Sequence, residues 1–415
     1  MAFGDSPYDK ALRESWYGFC EQMKSAGDRV FKQYNPANEL QRADGFRFLT
    51  QALGQAFDLA LETKDPRYPM IQAFCSWNRK LGGDNADCVY LQAWIDGQSA
   101  YKITGTKGSA RFMNFTVQGP RPEKDAYYGA NIPSLHEPFG DTPEANIFGH
   151  ELKCDWDGKF VLYIGGPKRD QNWLPTTPGS RKLFLRQYFD RWEEEAALYS
   201  IERIDMDEPR PLPTQQTILE SVRWAGDYLT GAMRDWPDFM MKVGVGLEDE
   251  KNINRYPAAS LAGGAEQRDQ RRGRSTDFMR WRLATDEALI VEFENYDGFW
   301  MFTNMGVFWN SMDYLYRPVS YTPSRTAVDG DHRVRLIMTH SDPGYQNWID
   351  TQGFDEGYLM FRNVLSRAVP RLETKVVNVR DLEKHLPDDS KKISPEERAR
   401  QMHVRFNAIR RRYRI

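Results

Sequence analysis

The sequence predicts a mostly β protein with helical additions, of the α+β class, built from two tandem jelly-roll-like antiparallel β-sandwich domains. Three observations lead to this prediction. Short apolar runs separated by turn residues fill two regions of the chain, 81–210 and 279–370, as in domains of many short strands. The two regions share a repeated motif, and helical periodicity marks the segments that precede, separate and follow them.

The 415 residues are long enough for more than one domain of ordinary size. In the N-terminal segment, Phe46, Leu49 and Leu53 recur every three or four positions, as on one face of a helix. We divide the chain into five segments. They are a helical N-terminal segment (1–80), a first β-sandwich (81–210), a helical linker with a long polar loop (211–278), a second β-sandwich (279–370) and a basic helical tail (371–415).

The strongest evidence for two related domains is a motif that occurs twice. Gln-Asn-Trp and an aliphatic residue stand at 171–174 and again at 346–349, and a strand with an arginine follows about fifteen residues after each asparagine. An Asp-Gly pair, at 96–97 and at 297–298, precedes each motif and predicts a hairpin turn. The spacing from Asp to Asn is 76 residues in the first copy and 50 in the second, so the first copy carries an insertion of about 26 residues, within 120–147.

The composition is that of an ordinary globular protein, with 28% charged residues and a net charge of -3, which argues against nucleic acid as a partner. The chain starts without the basic and apolar regions of a secretory signal, and no stretch reaches about 18 uninterrupted apolar residues. We therefore expect a cytoplasmic protein without stable membrane insertion. The 12 Trp, 20 Tyr and 23 Phe residues need either cores or ligands to cover them.

Several stretches of the second region resemble a known family. They are WRLATDEALIVEF at 281–293, WNSMDY at 309–314, YRPV at 316–319 and HSDPGYQNWIDT at 340–351. At these residues the chain resembles bacterial proteins of the domain-of-unknown-function 1214 group, some of which carry a related companion, like the domain of unknown function 1254, in front. The resemblance covers most of residues 80–370. It implies a pair of β-sandwich domains and little about chemistry, since the family has no generally accepted activity. Its members occur beside genes for the breakdown of lipids, steroids and aromatic compounds, which is an associational hint only.

The second copy holds the richer set of chemical groups, and we place the candidate catalytic site there. His340 changes protonation near neutral pH, and Asp313 would fix its tautomer, so the two would form a general acid–base pair. Arg317 and Asp350 complete the predicted catalytic set. The alternatives are a turn histidine without chemistry, and a structural ion pair between Asp350 and Arg362.

Aromatic residues of the second copy are candidates for a ligand pocket, although packing in the sandwich core is the plainer interpretation. The predicted substrate-binding residues are Trp300, Trp309, Tyr314, Trp348, Asn347 and Arg362. In the first copy a structural role is favoured, in which an asparagine caps a turn, a tryptophan fills the sandwich and an arginine pairs with an acid, for Asn172, Trp173 and Arg186.

Cofactor and metal sites find little support in the sequence. It contains no P-loop, no GxGxxG after a strand and no GxSxG elbow, so we expect no cofactor. The His-Glu pairs at 136–137 and 150–151 lack the spacing of an HExxH helix, so no metal is expected, although the sequence leaves this region open.

The C-terminal tail carries positive charge, since residues 366–415 hold 14 basic against 7 acidic side chains. Ser394 and Pro395 predict the start of a helix with an apolar stripe formed by Met402, Phe406, Ile409 and Tyr413. Such a helix docks on a second subunit, on its own body or on an acidic surface. We favour a homo-oligomer formed through this helix.

Together these features predict a cofactor-independent enzyme of the lyase, hydrolase or cyclase type, acting on a hydrophobic small molecule such as a terpenoid, a steroid or an aromatic compound. The alternative is a non-catalytic protein that binds carbohydrate or lipid in an aromatic-lined pocket. A third possibility is an oligomeric scaffold whose aromatic residues fill interfaces. The substrate itself stays open.

Overall fold

The computed structural model describes residues 6–32, 35–120, 141–242, 249–256, 274–364, 366 and 370–414. The α-helices in these ranges are α1 (Pro7–Asp28), α2 (Glu39–Ala60), α3 (Gln215–Thr230), α4 (Trp236–Lys242) and α5 (Pro395–Tyr413). A π-helical stretch, Gly231–Asp235, joins α3 to α4. Several helices begin where a side-chain oxygen accepts a backbone N–H of the first turn, at Ser6, Asn38, Thr214 and Ser394.

The first sandwich consists of an inner sheet of strand order β1-β2-β8-β4-β5 and an outer sheet of order β7-β6-β3-β9. Its strands are β1 (Gln72–Cys75), β2 (Cys88–Trp94), β3 (Tyr101–Thr106), β4 (Phe112–Gly119), β5 (Thr142–Phe148), β6 (Lys159–Ile164), β7 (Trp173–Leu174), β8 (Lys182–Tyr188) and β9 (Leu198–Arg203). Apolar side chains of both sheets, among them Ile103, Phe115 and Leu185, form its core. Strand β1 lies in the segment that we predicted to be helical, and it extends the edge of the inner sheet by pairing with β2.

The second sandwich has an inner sheet of order β10-β16-β12-β13 and an outer sheet of order β15-β14-β11-β17. Its strands are β10 (Arg274–Arg282), β11 (Glu287–Glu294), β12 (Phe299–Met305), β13 (Ser320–Tyr321), β14 (Arg333–Thr339), β15 (Trp348–Asp350), β16 (Glu356–Val364) and β17 (Glu373–Asn378). Its core again draws on both sheets, with Val291, Phe302 and Phe361 among the buried side chains. The predicted fold class is therefore confirmed.

The two sandwiches have the same topology. When β2 is matched to β10 and each later strand to its successor, the inner and outer sheets have the same strand order, apart from the extra edge strand β1. Even the one parallel pair recurs, because β6 runs parallel to β7 and β14 runs parallel to β15. The internal repeat inferred from the sequence is thus a duplicated sandwich.

The predicted register of the repeat is wrong upstream of the Gln-Asn-Trp motif. Asp96-Gly97 connects β2 to β3, whereas Asp297-Gly298 connects β11 to β12, which is one connection later in the repeat. Neither pair forms a hairpin, because the strands on its two sides belong to opposite sheets of a sandwich. In this jelly-roll-like topology many turns cross between the sheets, so an Asp-Gly signal does not identify paired neighbours.

The two inner sheets face each other, and we call the layer between them the junction. It contains Tyr90 and Tyr188 from the first sandwich, Phe299 and Met301 from the second, and apolar side chains of α1, α2 and α3. Strand β16 is buried along its whole length, because one face covers the sandwich core and the other face covers the junction. Three stacked apolar layers therefore cover many of the aromatic rings.

Helix α5 packs on the protein's own body. Ile409 is 1% exposed in the core of the second sandwich, and Phe406 and Tyr413 pack beside it. Near its C-terminal end, α5 also contacts the first sandwich, since Arg412 donates to the carbonyl of Arg191 (2.5 Å) and Tyr413 donates to the carbonyl of Cys88 (3.1 Å). The apolar stripe that we assigned to a second subunit therefore contacts this chain instead.

Candidate functional site

The predicted acid–base pair of His340 and Asp313 is wrong. The ring nitrogens of His340 lie 2.8 Å from the hydroxyl of Thr351 and 3.3 Å from the carbonyl of Leu283. Asp313 instead accepts the backbone N–H of Leu315 at 3.2 Å and lies 4.0 Å from Arg47 of helix α2. His340 follows β14 and Asp313 lies in the connection between β12 and β13, and none of their described contacts joins the two side chains.

The other two predicted catalytic residues do meet. The guanidinium of Arg317 donates to the carboxylate of Asp350 at 3.1 Å, and the same carboxylate accepts the backbone N–H of Gln352 at 2.7 Å. Burial raises the pKa of Asp350. The predicted structural pair of Asp350 with Arg362 is therefore wrong, because Arg317 is the partner.

Two of the predicted pocket tryptophans are fully buried in cores. Trp300 is 0% exposed and packs edge-on against Phe293, inside the second sandwich. Trp309 is 1% exposed and lies 5.3 Å, between ring centroids, from Trp236. Tyr314 is buried as well, and the ammonium of Lys80 lies 4.8 Å from the centre of its ring. These rings are covered by protein, so the plainer interpretation as core residues holds for them.

The repeated Asn-Trp motif is a structural clamp in both copies. Asn347 donates to the carbonyls of Ala327 and Arg335 and accepts the N–H of Ala327, at 2.8 to 2.9 Å. Asn172 makes the same three bonds in the first sandwich, to Lys153 and Val161. Each following tryptophan also donates to a backbone carbonyl, Trp173 to Gly165 and Trp348 to Thr339. The clamp ties the strand before the motif to the loop that precedes that strand.

Arg362 binds across the junction instead of lining an open pocket. Its guanidinium donates to the hydroxyl of Tyr90 and, at 2.6 Å, to the carbonyl of Gly83, both from the first half of the chain. Lys80 makes a similar contact, since its ammonium donates to the carbonyls of Ser311 and Met312, each at 2.6 Å. Burial lowers the pKa of Lys80 to about 8. These buried cations hold the two sandwiches together.

The feature that the sequence did not indicate is a cleft of about 930 Å³ on the outer sheet of the first sandwich. Its floor is built from β3, β6 and β9, where the hydroxyls of Thr104 and Ser200 lie 2.7 Å apart beside the exposed side chain of Val161. The volume falls in the range of ligand-binding clefts. The lining residues are Thr104, Gly105, Thr106, Lys153, Cys154, Asp155, Lys159, Phe160, Val161, Gln171, Asn172, Leu198, Tyr199, Ser200 and Arg414.

A fully exposed tryptophan stands beside this cleft. Trp156 is 98% exposed, on a turn that Gly158 closes by donating its N–H to the carbonyl of Asp155 at 3.0 Å. The flanking residues Asp155 and Lys159 both line the cleft. Singly exposed apolar side chains are ordinary on protein surfaces, so the interest of Trp156 lies in its position next to residues that line the cleft.

The equivalent positions of the second sandwich are filled by ion pairs. The strand register matches Thr104, Val161 and Ser200 to Glu292, Arg335 and Glu373. Arg335 pairs with Glu292 at 3.0 Å, with Asp329 at 2.7 Å and with Asp331 at 2.6 Å, and Arg333 pairs with Glu373 at 2.7 Å. The rest of that sheet is covered by the segment that carries Leu382 and Leu386.

No group of three metal-binding side chains occurs among the residues that the structure describes. His150 lies beside β5, with its ring stacked 5.7 Å from that of Phe148. His136 and Glu137, the other pair considered for a metal, lie outside the described residues. Within the described part of the chain, no helix is both long and apolar enough to cross a membrane.

Comparisons with known proteins place this architecture in context. The chain is similar in structure to an uncharacterized protein of Burkholderia cenocepacia, with a TM-score of 0.78 and 24% identity over 90% of this chain and 99% of that one. A Vibrio parahaemolyticus protein of known crystal structure gives a TM-score of 0.40 and 11% identity over 86% of this chain and 100% of that one. No curated protein matches the chain.

A family model described as "Protein of unknown function (DUF1214)" matches residues 91–190. This segment runs from β2 to just beyond β8, so it falls within the first sandwich and includes much of the cleft. The stretches at 281–351 on which we based the resemblance lie outside the matched segment. The resemblance to the domain-of-unknown-function 1214 proteins is thus confirmed, and the matching segment is in the first sandwich.

Proposed function

We propose that the protein is a ligand-binding module whose cleft in the first sandwich holds a hydroxyl-rich ligand of the carbohydrate class. One observation carries the proposal, namely a large open cleft with a fully exposed tryptophan at its edge. A flat indole packs against the apolar face of a sugar ring, while neutral hydroxyl and amide groups exchange hydrogen bonds with its hydroxyls.

The floor of the cleft is neutral and polar, and it supports our choice of a hydroxyl-rich ligand, although Lys153, Lys159 and Arg414 also line the cleft beside Asp155. Thr104 and Ser200 supply hydroxyls on the floor, and the amide of Gln171 and the carboxylate of Asp155 supply further polar groups on the walls. Lys159 pairs with Asp157 at 2.7 Å. This ion pair raises the pKa of Lys159 and partly neutralises its charge. Hydroxyls beside exposed aliphatic carbon, such as that of Val161, suit a sugar better than a strongly charged ligand.

The test is calorimetric titration of the full chain with a panel of soluble cello-, xylo-, malto- and chito-oligosaccharides. We expect one class to bind and the Trp156→Ala variant to bind it about five- to thirtyfold more weakly, as expected for the loss of a stacking platform worth about 1 to 2 kcal/mol. Trp16→Ala is the matched control, because Trp16 is also an exposed tryptophan but lies on helix α1. Equal binding by wild type and Trp156→Ala would contradict the proposal.

The enzyme predicted from the sequence remains an alternative that only a turnover assay decides. Incubation with terpenoids, steroids and aromatic compounds, followed by product analysis, tests it directly. Arg317 and Asp350 are the predicted catalytic residues that contact each other, so Asp350→Asn is the informative variant. Turnover lost in Asp350→Asn but kept in His340→Ala would support this alternative. An absence of turnover together with saturable binding of an oligosaccharide would support the binding module.

A cytoplasmic location and a homo-oligomer are also proposals. The exposed apolar residues on the described surface include Tyr8, Trp16 and Tyr17 of α1, which offer a contact surface distinct from α5. Sedimentation of the wild type against a Trp16→Glu/Tyr17→Glu variant tests whether the chain associates through α1.

A further inference from the structure

A second, smaller cavity of about 120 Å³ lies where helix α5 meets both sandwiches. Trp192 enters it from the first sandwich, Ser320, Tyr321 and Arg325 enter from the second, and Arg405 enters from α5. The remaining lining residues are Pro318, Gln346, Gln401 and Met402. The lining that the structure describes thus contains two arginines and no carboxylate.

Arginine side chains crowd this corner of the molecule. The guanidinium groups of Arg325, Arg405 and Arg412 lie 3.9, 5.2 and 5.5 Å from the centre of the indole ring of Trp192. Arg405 is 1% exposed and Arg412 is 6% exposed. Burying positively charged groups is costly unless negative charge or hydrogen bonds compensate them.

The carboxylates near the cluster are mostly engaged elsewhere. Asp87 is buried and pairs with Arg325 at 2.6 Å. The carboxylate of Asp190 accepts the N–H and the hydroxyl of Ser324, at 2.9 and 2.6 Å, and Glu194 accepts the backbone N–H of Asp190 at 2.7 Å. Three guanidinium groups therefore share mainly one fully buried carboxylate, which leaves an excess of positive charge at the cavity.

The hydrogen bonds of the two lining arginines leave donors unused. Arg405 donates through Nε to the carbonyl of Tyr314 at 2.5 Å and through Nη2 to the hydroxyl of Ser320 at 2.9 Å. Arg325 donates through Nε to the carbonyl of Asp190 at 3.1 Å and to the hydroxyl of Thr322 at 2.8 Å. In each residue, Nη1 makes no hydrogen bond to any residue that the structure describes. Among its described contacts, Nε of Arg412 is likewise buried without a hydrogen-bond partner.

We propose that this cavity is a binding site for a small oxyanion, either inorganic phosphate or the phosphoryl group of a larger molecule, held by Arg325 and Arg405. A planar guanidinium donates two parallel hydrogen bonds to phosphate oxygens, and two such groups provide the charge that a phosphate needs. The cavity volume exceeds the roughly 30 Å³ that one water occupies in the liquid by enough to hold one such anion. Ser320, Gln346 and Gln401 also line the cavity, where Gln401 donates to Gln346 at 2.9 Å and accepts from Arg398 at 3.1 Å.

The protonation behaviour of the cluster agrees with this site. The pKa of Arg405 is lowered to about 10. Burial is the main cause and the neighbouring guanidinium of Arg325 adds to it, whereas the carboxylate of Asp87 acts in the opposite direction. Burial likewise lowers the pKa of Arg412 to about 10. An anion in the cavity would relieve this crowding and would tie α5 to both sandwiches.

The experiment measures thermal unfolding and calorimetric binding of the full chain at pH 7 in phosphate, with sodium chloride at matched ionic strength as the reference. We expect a saturable rise in Tm with phosphate and no comparable rise with chloride, because a ligand that binds only the folded state stabilises it. The same measurements are repeated with glycerol 3-phosphate in place of inorganic phosphate. If both ligands bind, the site accepts a phosphoryl group on a larger molecule, and if only phosphate binds, the site takes the free anion.

Two variants locate the effect. Arg405→Met removes a donor directly, but it also removes the bonds to Tyr314 and Ser320 and so endangers folding. Gln401→Glu is the gentler variant, because it places a carboxylate of almost the same shape in the cavity lining. We expect phosphate to bind Gln401→Glu at least tenfold more weakly, whereas Asn407→Asp, which adds the same charge to the exposed face of α5, binds like the wild type. A phosphate effect that is equal in Gln401→Glu and wild type, or that is absent in the wild type, overturns the proposal.

Discussion

The outer sheets of the two sandwiches share one strand order but present opposite surfaces. In the first sandwich, Thr104, Val161 and Ser200 form the floor of an open cleft. In the second, the matching positions hold Glu292, Arg335 and Glu373, whose charges join an ion-pair network. Beside that network, residues of the segment 379–386 cover the sheet.

The difference shows how a duplicated fold divides its roles. Both copies keep the core, the strand order and the Asn-Trp clamp, which are what the sandwich needs to fold. Only side chains that point away from the core differ between the two floors, and an exposed position is free to vary at little cost in stability. The same backbone therefore presents an open cleft in one copy and a closed surface in the other.

The largest expected effect comes from removing the asparagine of the Asn-Trp clamp in each sandwich. Comparing the two variants separates the structural role of the clamp from the role of Asn172 in the cleft. Asn347 is 6% exposed and makes three hydrogen bonds to the backbone, so Asn347→Ala should lower the free energy of unfolding by about 3 kcal/mol. Asn172 is more exposed, and Asn172→Ala should cost only about 1 kcal/mol but should also weaken ligand binding. Urea denaturation measures the first effect and calorimetry the second. Equal losses of stability in both variants would contradict the comparison.

The junction differs from both outer sheets because its charges are buried. The pKa of Lys80 is about 8 in the folded chain, below its ordinary value of 10.5, because burial disfavours the charged form. Between these values the unfolded state binds more protons, so stability rises with pH. Relative to Lys80→Met, the wild type should gain about 2.5 kcal/mol between pH 8 and pH 10.5. Denaturant unfolding across this range measures the gain. The wild type and the variant share the other charged groups that face this site, which are Asp84, Asp44, Asp313 and Arg47. The difference in unfolding free energy between the two proteins therefore reports on Lys80, and a difference that does not change with pH would contradict the lowered pKa.

The ion-pair network of the second sandwich should stabilise it modestly and in a pH-dependent way. The hydrogen bond from Arg335 lowers the pKa of Asp331 to about 2. A carboxylate with a lowered pKa contributes stability above its unfolded value near 4, and this contribution disappears as the pH falls through about 2. Arg335→Leu should therefore cost about 1 kcal/mol at pH 7, with the cost shrinking towards pH 2 and in high salt. Thermal unfolding at each pH checks this, and a cost that grows on acidification would argue against the network.

Much of the fold, but little of the candidate functional site, could be predicted from the sequence. Alternating apolar residues and the repeated Gln-Asn-Trp motif predicted two related sandwiches, because core faces and clamps require particular residue types. The pairing of His340 with Asp313 failed because both residues lie in connections between strands, whose placement depends on contacts across the fold that no local pattern records. The buried positions of Trp300 and Trp309 depend on the junction, which forms only when the two sandwiches meet.

The cleft was missed for a related reason. The contrast between the open and the closed floor depends on matching Thr104 to Glu292, and the Asp-Gly pairs had suggested a different register for the repeat. One signal was available in the sequence, because Trp156 stands between Asp155 and Asp157 in an Asp-Trp-Asp-Gly turn, where a core position is implausible. The positions of side chains on a two-sided sheet, and not the composition of the chain, distinguish the open face from the closed one.

Grafting the closed surface onto the open one tests the comparison most directly. The triple variant Thr104→Glu/Val161→Arg/Ser200→Glu gives the first sandwich the floor residues of the second while leaving its core unchanged. Calorimetry with the oligosaccharide that binds the wild type is the measurement. We expect binding to fall at least tenfold while Tm stays within a few degrees of the wild-type value. Undiminished binding in a folded triple variant would show that the ligand does not occupy the cleft.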